Sequence, residues 1–295
     1  IFIARLDPSG NWLWAVKAGG TGWDEGGDIA VDGAGNAYVT GGFCGTATFG
    51  SHSLTANGYY YCDIFVAKLD PNGNWLWAVQ VGGTSGDAGY GIALDGVGNA
   101  YVTGVFCDTA TFGSHSLTTN GYYCDIFVAK LDPNCNWLWA VQAGGTEEDD
   151  CGAGIALDGA GNAYLTGFFR DTATFGNQTL TAGGGSNIFV AKLSPYGNWL
   201  WAVNAGGTSG DAGYGIALDG VGNAYVTGVF CGTATFGSYS LTANGYYDYC
   251  GDIFVAKLGP NGNWLWAVQA GGLEEDYGAG IALDGAGNAY LTGFF

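Results

Sequence analysis

The segment "IFVAKLDPNGNWLWAVQ", from Ile64 to Gln80, reads as two short strands joined by a tight turn. Its two apolar halves are rich in β-branched and aromatic residues, and the Asp-Pro-Asn-Gly sequence between them is typical of a turn. Close copies recur along the chain, and all of them contain "NWLWAV". The repeats that they define begin at Ile1, Ile64, Ile126, Ile188 and Ile253.

Two further strands follow this segment in each repeat. "GIALD" (Gly91 to Asp95) and "AYVTGVF" (Ala100 to Phe106) are separated by the turn sequence "GVGN". Apolar residues show no helical periodicity. Four short strands in a repeated unit predict a blade of a β-propeller. From the inside outwards we label "GIALD" strand A, "AYVTGVF" strand B, "IFVAKL" strand C and "WLWAVQ" strand D.

The order of these strands predicts how the propeller closes. The chain begins with strands C and D and ends with strands A and B. Pairing of the two ends would complete a fifth blade and remove open sheet edges. We therefore predict an all-β fold, a single domain over residues 1–295, in which a five-bladed ring is closed by N-terminal strands C and D pairing with C-terminal strands A and B. The alternative is an excerpt from a larger propeller.

The pattern "DIFVAKLDPNGNWLWAVQ…GGT…GIALDGxGNAYVTG" resembles the bacterial extracellular β-propeller repeat known as SBBP. The resemblance covers essentially the whole chain. It implies a secreted or cell-surface protein, and it implies no catalytic residues. The family is named for seven blades, so a count of five departs from it.

Charge excludes several classes of partner. The chain has 26 acidic and 7 basic residues and a formal net charge of −19. Such a surface repels nucleic-acid phosphates and anionic membranes, and no apolar run has the length of a membrane span. We expect neither nucleic-acid binding nor membrane insertion. Because no initiator methionine or signal sequence is visible, we expect a mature product or an excerpt.

Two positions repeat in every copy and call for a structural explanation. The tryptophans of strand D, such as Trp75 and Trp77, are two residues apart, so we predict that both lie on one face and pack against the neighbouring blade.

An aspartate ends strand A, and a basic residue lies near the end of strand C. We predict ion pairs between them, as for Asp95 and Lys130, in preference to a ring of metal ligands.

The loops between strands D and A differ most among the repeats, and variable loops on a rigid scaffold are where binding usually occurs. Exposed tyrosine and tryptophan suit sugars, while carboxylates and loop carbonyls suit Ca²⁺, the one cofactor that the sequence indicates. The other interpretation is a solvated acidic rim. The candidate ligand-binding residues are Trp23, Asp24, Asp87, Tyr90, Asp149, Asp211, Tyr214, Asp276 and Tyr277.

Six of the eight cysteines bracket the long connections between strands B and C. They predict three disulfides, Cys44–Cys62, Cys107–Cys124 and Cys231–Cys250. Cys135 and Cys151 remain, and a whole strand D separates them, so a regular blade keeps them too far apart for a bond. They are either free or bonded to neighbouring molecules, which would give head-to-tail self-association. The alternative is a locally distorted loop that lets the two cysteines bond to each other.

Repetition argues against an enzyme, which needs one cluster of acid, base or nucleophile. The only histidines, His52 and His115, occupy equivalent places in two repeats. We predict a non-catalytic, secreted or cell-surface propeller that acts as a multivalent binding or adhesion module for glycans or other surface proteins. The alternative is a structural subunit of an extracellular fibre or surface assembly.

Overall fold

The computed structural model describes residues 1–58, 61–245 and 251–295. The chain forms two compact units. The first comprises Ile1–Thr119 and Phe127–Val141, and the second comprises Asn120–Ile126 and Gln142–Phe295. The regular secondary structure of the described residues consists of β-strands alone.

Twenty-nine strands follow one another in a repeated order among the described residues. The first repeat contains β1 (Phe2–Leu6), β2 (Trp12–Lys17), β3 (Gly19–Gly20), β4 (Asp24–Val31), β5 (Ala37–Cys44), β6 (Thr46–Phe49) and β7 (His52–Thr55). The second contains β8 (Cys62–Leu69), β9 (Trp75–Val81), β10 (Ala88–Leu94), β11 (Ala100–Phe106), β12 (Thr109–Phe112) and β13 (His115–Thr118). The third contains β14 (Asp125–Leu131), β15 (Trp137–Ala143), β16 (Cys151–Leu157), β17 (Ala163–Phe169), β18 (Thr172–Phe175) and β19 (Gln178–Thr181). The fourth contains β20 (Asn187–Leu193), β21 (Trp199–Ala205), β22 (Ala212–Leu218), β23 (Ala224–Cys231), β24 (Thr233–Phe236) and β25 (Tyr239–Thr242). The fifth contains β26 (Gly251–Leu258), β27 (Trp264–Ala270), β28 (Tyr277–Leu283) and β29 (Ala289–Phe294).

Four sheets have the predicted order A-B-C-D. They are β4-β5-β8-β9, β10-β11-β14-β15, β16-β17-β20-β21 and β22-β23-β26-β27. The chain is therefore an all-β protein built of propeller-like four-stranded repeats. Strands β1 and β2 form a two-stranded sheet, and so do β28 and β29. The five-bladed ring closed by its two ends stays a prediction.

The connection between strands B and C carries a small hairpin that the four-strand pattern does not include. The sequence "TATF" and the strand after it pair as β6–β7, β12–β13, β18–β19 and β24–β25. In the first of these, Phe49 is fully buried and its ring meets the Trp75 ring edge-on at 5.2 Å between centroids. The hairpin thus covers the outer part of the blade with an aromatic contact.

The core lies along strands B and C. Each of these strands is hydrogen-bonded to a neighbouring strand on both sides, and side chains on both faces of the sheet are buried there. Strand β14 is buried along its whole length, whereas the outer strand β15 is mostly half-buried. The first unit encloses Tyr38, Phe65 and Phe106 without exposure, and the second encloses Tyr164 and Phe230 in the same way.

The two tryptophans of each strand D point to opposite faces, so the prediction that they share one face is wrong. Trp75 lies opposite Leu69 and Trp77 opposite Lys68, which leaves Leu76 as the extra residue of a β-bulge. Neighbouring residues of strand C face opposite ways, and their tryptophan partners do the same. The indole nitrogen of Trp77 still reaches the turn of the next blade, where it donates to the carbonyl oxygen of Pro133 at 3.2 Å.

Candidate functional site

The variable loops and the B–C connections lie at the same end of each blade. The backbone N–H of Asp87 donates to the carbonyl oxygen of Cys62 at 2.8 Å. The N–H of Asp211 makes the equivalent bond to Ser186 at 2.8 Å. These bonds join each D–A loop to the start of strand C, so the candidate residues of one repeat share a surface with the adjoining hairpin.

Three of the predicted site aspartates lie inside the loops. Asp87 accepts from the backbone N–H groups of Gly83 (2.9 Å) and Cys107 (3.0 Å), and it is 2% exposed. Asp211 is placed equivalently, and Asp276 accepts from Gly272 at 2.7 Å. Burial raises the pKa of Asp87 to about 7 and that of Asp211 to about 6, against the effect of these hydrogen bonds. These carboxylates fix the loop conformation from within.

The other two predicted aspartates are also tied to backbone groups. Asp24 accepts from the N–H of Gly20 at 2.7 Å. Asp149 is exposed and accepts from the N–H of Cys124 at 2.8 Å. Among the described residues, no group of three or more histidine, cysteine, aspartate or glutamate side chains is arranged to hold a metal ion.

Trp23 and Tyr90 come together in the first unit, as the candidate site requires. Both line a cavity of about 220 Å³, and Glu25, Cys62 and Asp87 contribute to the same wall. Trp23 is 72% exposed and Tyr90 is 42% exposed. Two exposed rings beside one exposed carboxylate form an arrangement that can stack on a sugar ring and accept hydrogen bonds from its hydroxyl groups. We call this group the Trp23 pocket.

A close approach of two strands A shapes this pocket. A Cβ atom on Gly27 would lie 2.3 Å from the carbonyl oxygen of Gly89 and 3.1 Å from the Cα of Tyr90. Only glycine lets the backbone of β4 come so near β10. The absence of a side chain at Gly27 therefore brings Tyr90 beside Trp23.

The second unit presents an aromatic group of its own. The rings of Tyr214 and Tyr277 meet edge-on at 6.0 Å between centroids, and Tyr277 stacks on Phe294 at 5.5 Å. Tyr214 is 37% exposed and Tyr277 is 36% exposed. Burial, with nearby Cys151 and Tyr277 adding to it, raises the pKa of Tyr214, so its hydroxyl stays a hydrogen-bond donor.

Glu25 is the pocket residue that sequence reasoning missed. It stands four residues before Ile29 in strand A, where the other repeats have Ala88, Cys151, Ala212 and Tyr277. A single acid at an otherwise uncharged position is a signal that comparison of the repeats could have found.

The predicted ion pairs between strands A and C are confirmed in four repeats. The Nζ–Oδ2 distances are 3.8 Å for Lys68–Asp32, 3.3 Å for Lys130–Asp95, 3.3 Å for Lys192–Asp158 and 3.2 Å for Lys257–Asp219. Each aspartate forms an ion pair with a lysine and accepts hydrogen bonds from its own turn. These aspartates therefore stabilise the blade.

The cysteines divide into bonded and free residues. Cys44 is bonded to Cys62, and Cys107 and Cys124 are also disulfide-bonded. The predicted Cys231–Cys250 bond involves Cys250, which lies outside the described residues.

Cys135 and Cys151 are free thiols. Burial raises the pKa of both, that of Cys151 to about 12 with Asp150 and Asp149 adding to the effect. Thiols that stay protonated oxidise slowly, and their bonding to neighbouring molecules remains a prediction.

The repeats match a known family of protein repeats. A family model described as a beta-propeller repeat, SBBP, matches residues 76–105, 138–167 and 265–293. The chain is 25% identical, over 88% of its length, to an uncharacterized WD repeat-containing protein, L264, of Acanthamoeba polyphaga mimivirus. It spans about a quarter of that protein, 23% of its length.

A solved structure is also similar, a protein of unknown function from Bacteroides caccae. Its identity is 10% and its TM-score 0.42, over 89% of this chain and 87% of that one. In the described part of the chain, no helix has the length and apolar character to span a membrane. The match to the family model confirms the SBBP-type β-propeller repeat at three places in this chain.

Proposed function

We propose that the chain is an extracellular, non-catalytic propeller of five blades that binds glycans at several sites through exposed aromatic rings. The observation that carries the proposal is the Trp23 pocket, where Trp23 and Tyr90 flank Glu25 around a cavity of about 220 Å³. That volume suits one sugar ring better than a drug-sized ligand. The disulfide-bonded cysteines support an oxidising, extracellular location.

Multivalency is supported by the aromatic group of the second unit. Tyr214 and Tyr277 derive from the same variable strand A positions as the residues of the Trp23 pocket. Two weak sites on one chain gain avidity when a surface presents many copies of a sugar. We therefore propose that binding to a glycan-coated surface is much tighter than binding to the free sugar.

A glycan array tests this proposal directly. The purified, oxidised protein is compared with the double variant Trp23→Ala/Tyr90→Ala, with and without chelator. The control is Trp12→Ala, because Trp12 is 68% exposed and Trp23 is 72% exposed, but Trp12 lies outside the pocket. We expect selective binding by the wild type and the control and its loss in the double variant. A blank array for the folded wild type would overturn the proposal and favour the structural subunit.

The role of the second site is tested with Tyr214→Ala/Tyr277→Ala. We expect this variant to bind a free oligosaccharide in the Trp23 pocket as the wild type does. Its retention on a glycan-coated surface should fall by at least about tenfold. Equal retention would show that a single site acts alone.

A further inference from the structure

In three repeats an aspartate near the start of strand C is enclosed by protein. Asp63 and Asp252 have no exposed surface, and Asp125 is 1% exposed. The Oδ2 atom of Asp63 accepts hydrogen bonds from the N–H of Asn57 (3.1 Å), its side-chain amide (3.0 Å) and the amide of Gln80 (3.3 Å). Among the described residues, the Oδ1 atom of each of the three aspartates has no hydrogen-bond partner.

Two of the three unpartnered oxygens have an oxygen of a second carboxylate nearby. Asp63 Oδ1 and Asp87 Oδ2 lie 2.8 Å and 2.6 Å from one point, the position that a Cβ on Gly82 would take. Asp252 Oδ1 and Asp276 Oδ2 lie 2.6 Å and 3.0 Å from the equivalent point at Gly271. A buried, ionised carboxylate is unfavourable when one of its oxygens lacks a donor and a second carboxylate lies beside it.

The charged groups around these aspartates are mainly acidic. Asp63 faces Asp87 across the loop, and Asp108 lies beyond Asp87. Asp252 faces Asp276. Asp125 faces Asp150, with Asp149 next to it.

One basic residue, Arg170, approaches the aspartates of the third repeat without contacting Asp125. The backbone N–H of Arg170 donates to Asp150, and its guanidinium pairs with Glu148 at 2.8 Å. Neither group neutralises Asp125, whose Oδ1 atom remains unpartnered.

The fourth repeat, where Asn187 takes the place of the aspartate, shows what the position requires. In the amide orientation that satisfies both of its polar atoms, the Asn187 nitrogen donates to the carbonyl oxygens of Gly207 (3.2 Å) and Ser186 (3.3 Å). That nitrogen occupies the place of the aspartate Oδ1, next to Gly206. A hydrogen-bond donor is therefore the group that fits there, and a carboxyl group can donate only when it is protonated.

We propose that Asp63, Asp125 and Asp252 each hold a proton on Oδ1 in the folded protein, so that a neutral carboxylic acid donates to the oxygens around it. The proton comes from solvent on folding and returns to solvent when the group ionises or the chain unfolds. Burial raises the pKa of Asp63 and of Asp125 to about 6, so the neutral acid is the main form in mild acid and is lost as the pH rises through about 6. Burial also raises the pKa of Asp87, to about 7. Both oxygens of Asp87 accept from N–H groups, whereas Asp63 Oδ1 has no donor, so the hydrogen-bond geometry places the proton of this pair on Asp63 and the negative charge on Asp87.

The proton at Asp63 stands directly behind the Trp23 pocket. Asp63 is the neighbour of Cys62 in strand β8 and faces Asp87, and both of these residues line the pocket. Loss of the proton would place two repelling carboxylates beside the start of strand β10, which carries Tyr90. If the proposed glycan function is correct, the Trp23 pocket binds a sugar more tightly in mild acid and more weakly in mild alkali.

Thermal unfolding as a function of pH tests the proton without any ligand. A folded-state pKa raised above the unfolded value of about 3.9 makes the folded state bind more protons, so stability falls as pH rises from about 4 to about 7. Asparagine mimics the neutral acid. We expect the triple variant Asp63→Asn/Asp125→Asn/Asp252→Asn to match the wild type near pH 4.5 and to unfold at least about 3 °C higher near pH 8.

Two matched variants and one added ion complete the experiment. Asp70→Asn alters an exposed turn aspartate and should give no gain near pH 8, while Asn187→Asp should lower the unfolding temperature there and not near pH 4.5. A triple variant that keeps the pH dependence of the wild type would overturn the proposal. So would stabilisation of the wild type by millimolar Ca²⁺ that the triple variant loses, because a cation would then occupy the place of the proton.

Carbon-13 NMR of the aspartate carboxyl groups gives a second, direct readout. Three carboxyl signals that are absent from the triple variant should titrate above the ordinary aspartates, those of Asp63 and Asp125 near pH 6. Signals from these residues that are fully ionised at pH 5 would contradict the assignment.

Discussion

Lys130 donates a hydrogen bond of 2.7 Å from its Nζ atom to the hydroxyl oxygen of Tyr101. The same ammonium group is 3.3 Å from the carboxylate of Asp95 and 4.5 Å from the centre of the Tyr101 ring. Lysine, tyrosine and aspartate have the same relationship in the repeats of Lys192 and Lys257. The repeat thus carries a charged group inside the blade, and the lysine connects strands A, B and C.

Replacing Lys130 by methionine should destabilise the protein by about 3 kcal/mol. Lys130 is 7% exposed, and its loss leaves the partly buried carboxylate of Asp95 without its counter-charge. Urea unfolding of the purified variant measures the change. The matched control is Lys17→Met, at an exposed lysine of strand β2, which should stay within about 0.5 kcal/mol of the wild type. Equal effects of the two substitutions would show that the buried pair contributes nothing.

Most of the blade could be predicted from the sequence because each strand carries its own local signal. The predicted strand at Ala100 to Phe106 has the bounds of β11, and the predicted strand C at Ile64 to Leu69 lies within β8. The bulge at Leu76 could not be predicted, because the regular alternation of strand D gives no sign of an extra residue. One bulge was enough to turn Trp75 and Trp77 to opposite faces.

The candidate site was predictable only in part. Trp23 and Tyr90 were both candidates from the variable loops, but the structure alone shows that they line one cavity. The burial of Asp87, Asp211 and Asp276 was not predictable, because an aspartate in a glycine-rich loop gives the same sequence signal whether it faces water or the backbone. Their roles depend on donors from other segments, such as Cys107 for Asp87. Position 27 requires glycine because the carbonyl oxygen of Gly89, 62 residues further on in a different repeat, lies where a Cβ would be.

Cys135 should be less favourable than glycine at its own position. Its φ is +60°, and the equivalent Gly10, Gly73, Gly197 and Gly262 have φ between +80° and +84°. A side chain in this left-handed region costs about 1 kcal/mol, and glycine avoids that cost. We expect Cys135→Gly to be more stable than Cys135→Ala by about 1 kcal/mol in urea unfolding. Alanine is the control because it also lacks the thiol, and equal stability of the two would contradict the backbone argument.

The Cys44–Cys62 disulfide should contribute about 3 kcal/mol to stability, because it closes a connection of 18 residues. We expect the double variant Cys44→Ser/Cys62→Ser to unfold at a lower temperature than the oxidised wild type. A reductant should lower its unfolding temperature by less than that of the wild type, because this bond is already absent. Cys135→Ser is the control, since Cys135 is a free thiol. An unchanged unfolding temperature in the double variant would mean that the hairpin β6–β7 holds the connection without help.

The turn aspartates should make the protein sensitive to acid. Partial burial alone would raise the pKa of Asp158, but hydrogen bonds from Asn162 and the nearby charge of Lys192 hold it below its usual range. A group with a depressed folded-state pKa contributes stability above its unfolded pKa of about 3.9, and that stability is lost as pH falls through the folded value.

Asp158→Asn should therefore flatten the loss of stability as the pH falls below about 4. It should also lower stability near pH 6 by about 1 to 2 kcal/mol through loss of the pair with Lys192. Urea midpoints measured across this range give both quantities. Glu147→Gln, an exposed acid outside these turns, is the control and should keep the acid dependence of the wild type. The opposite slope, with the variant losing more stability in acid than the wild type, would show that the pKa of Asp158 is not depressed by its partners.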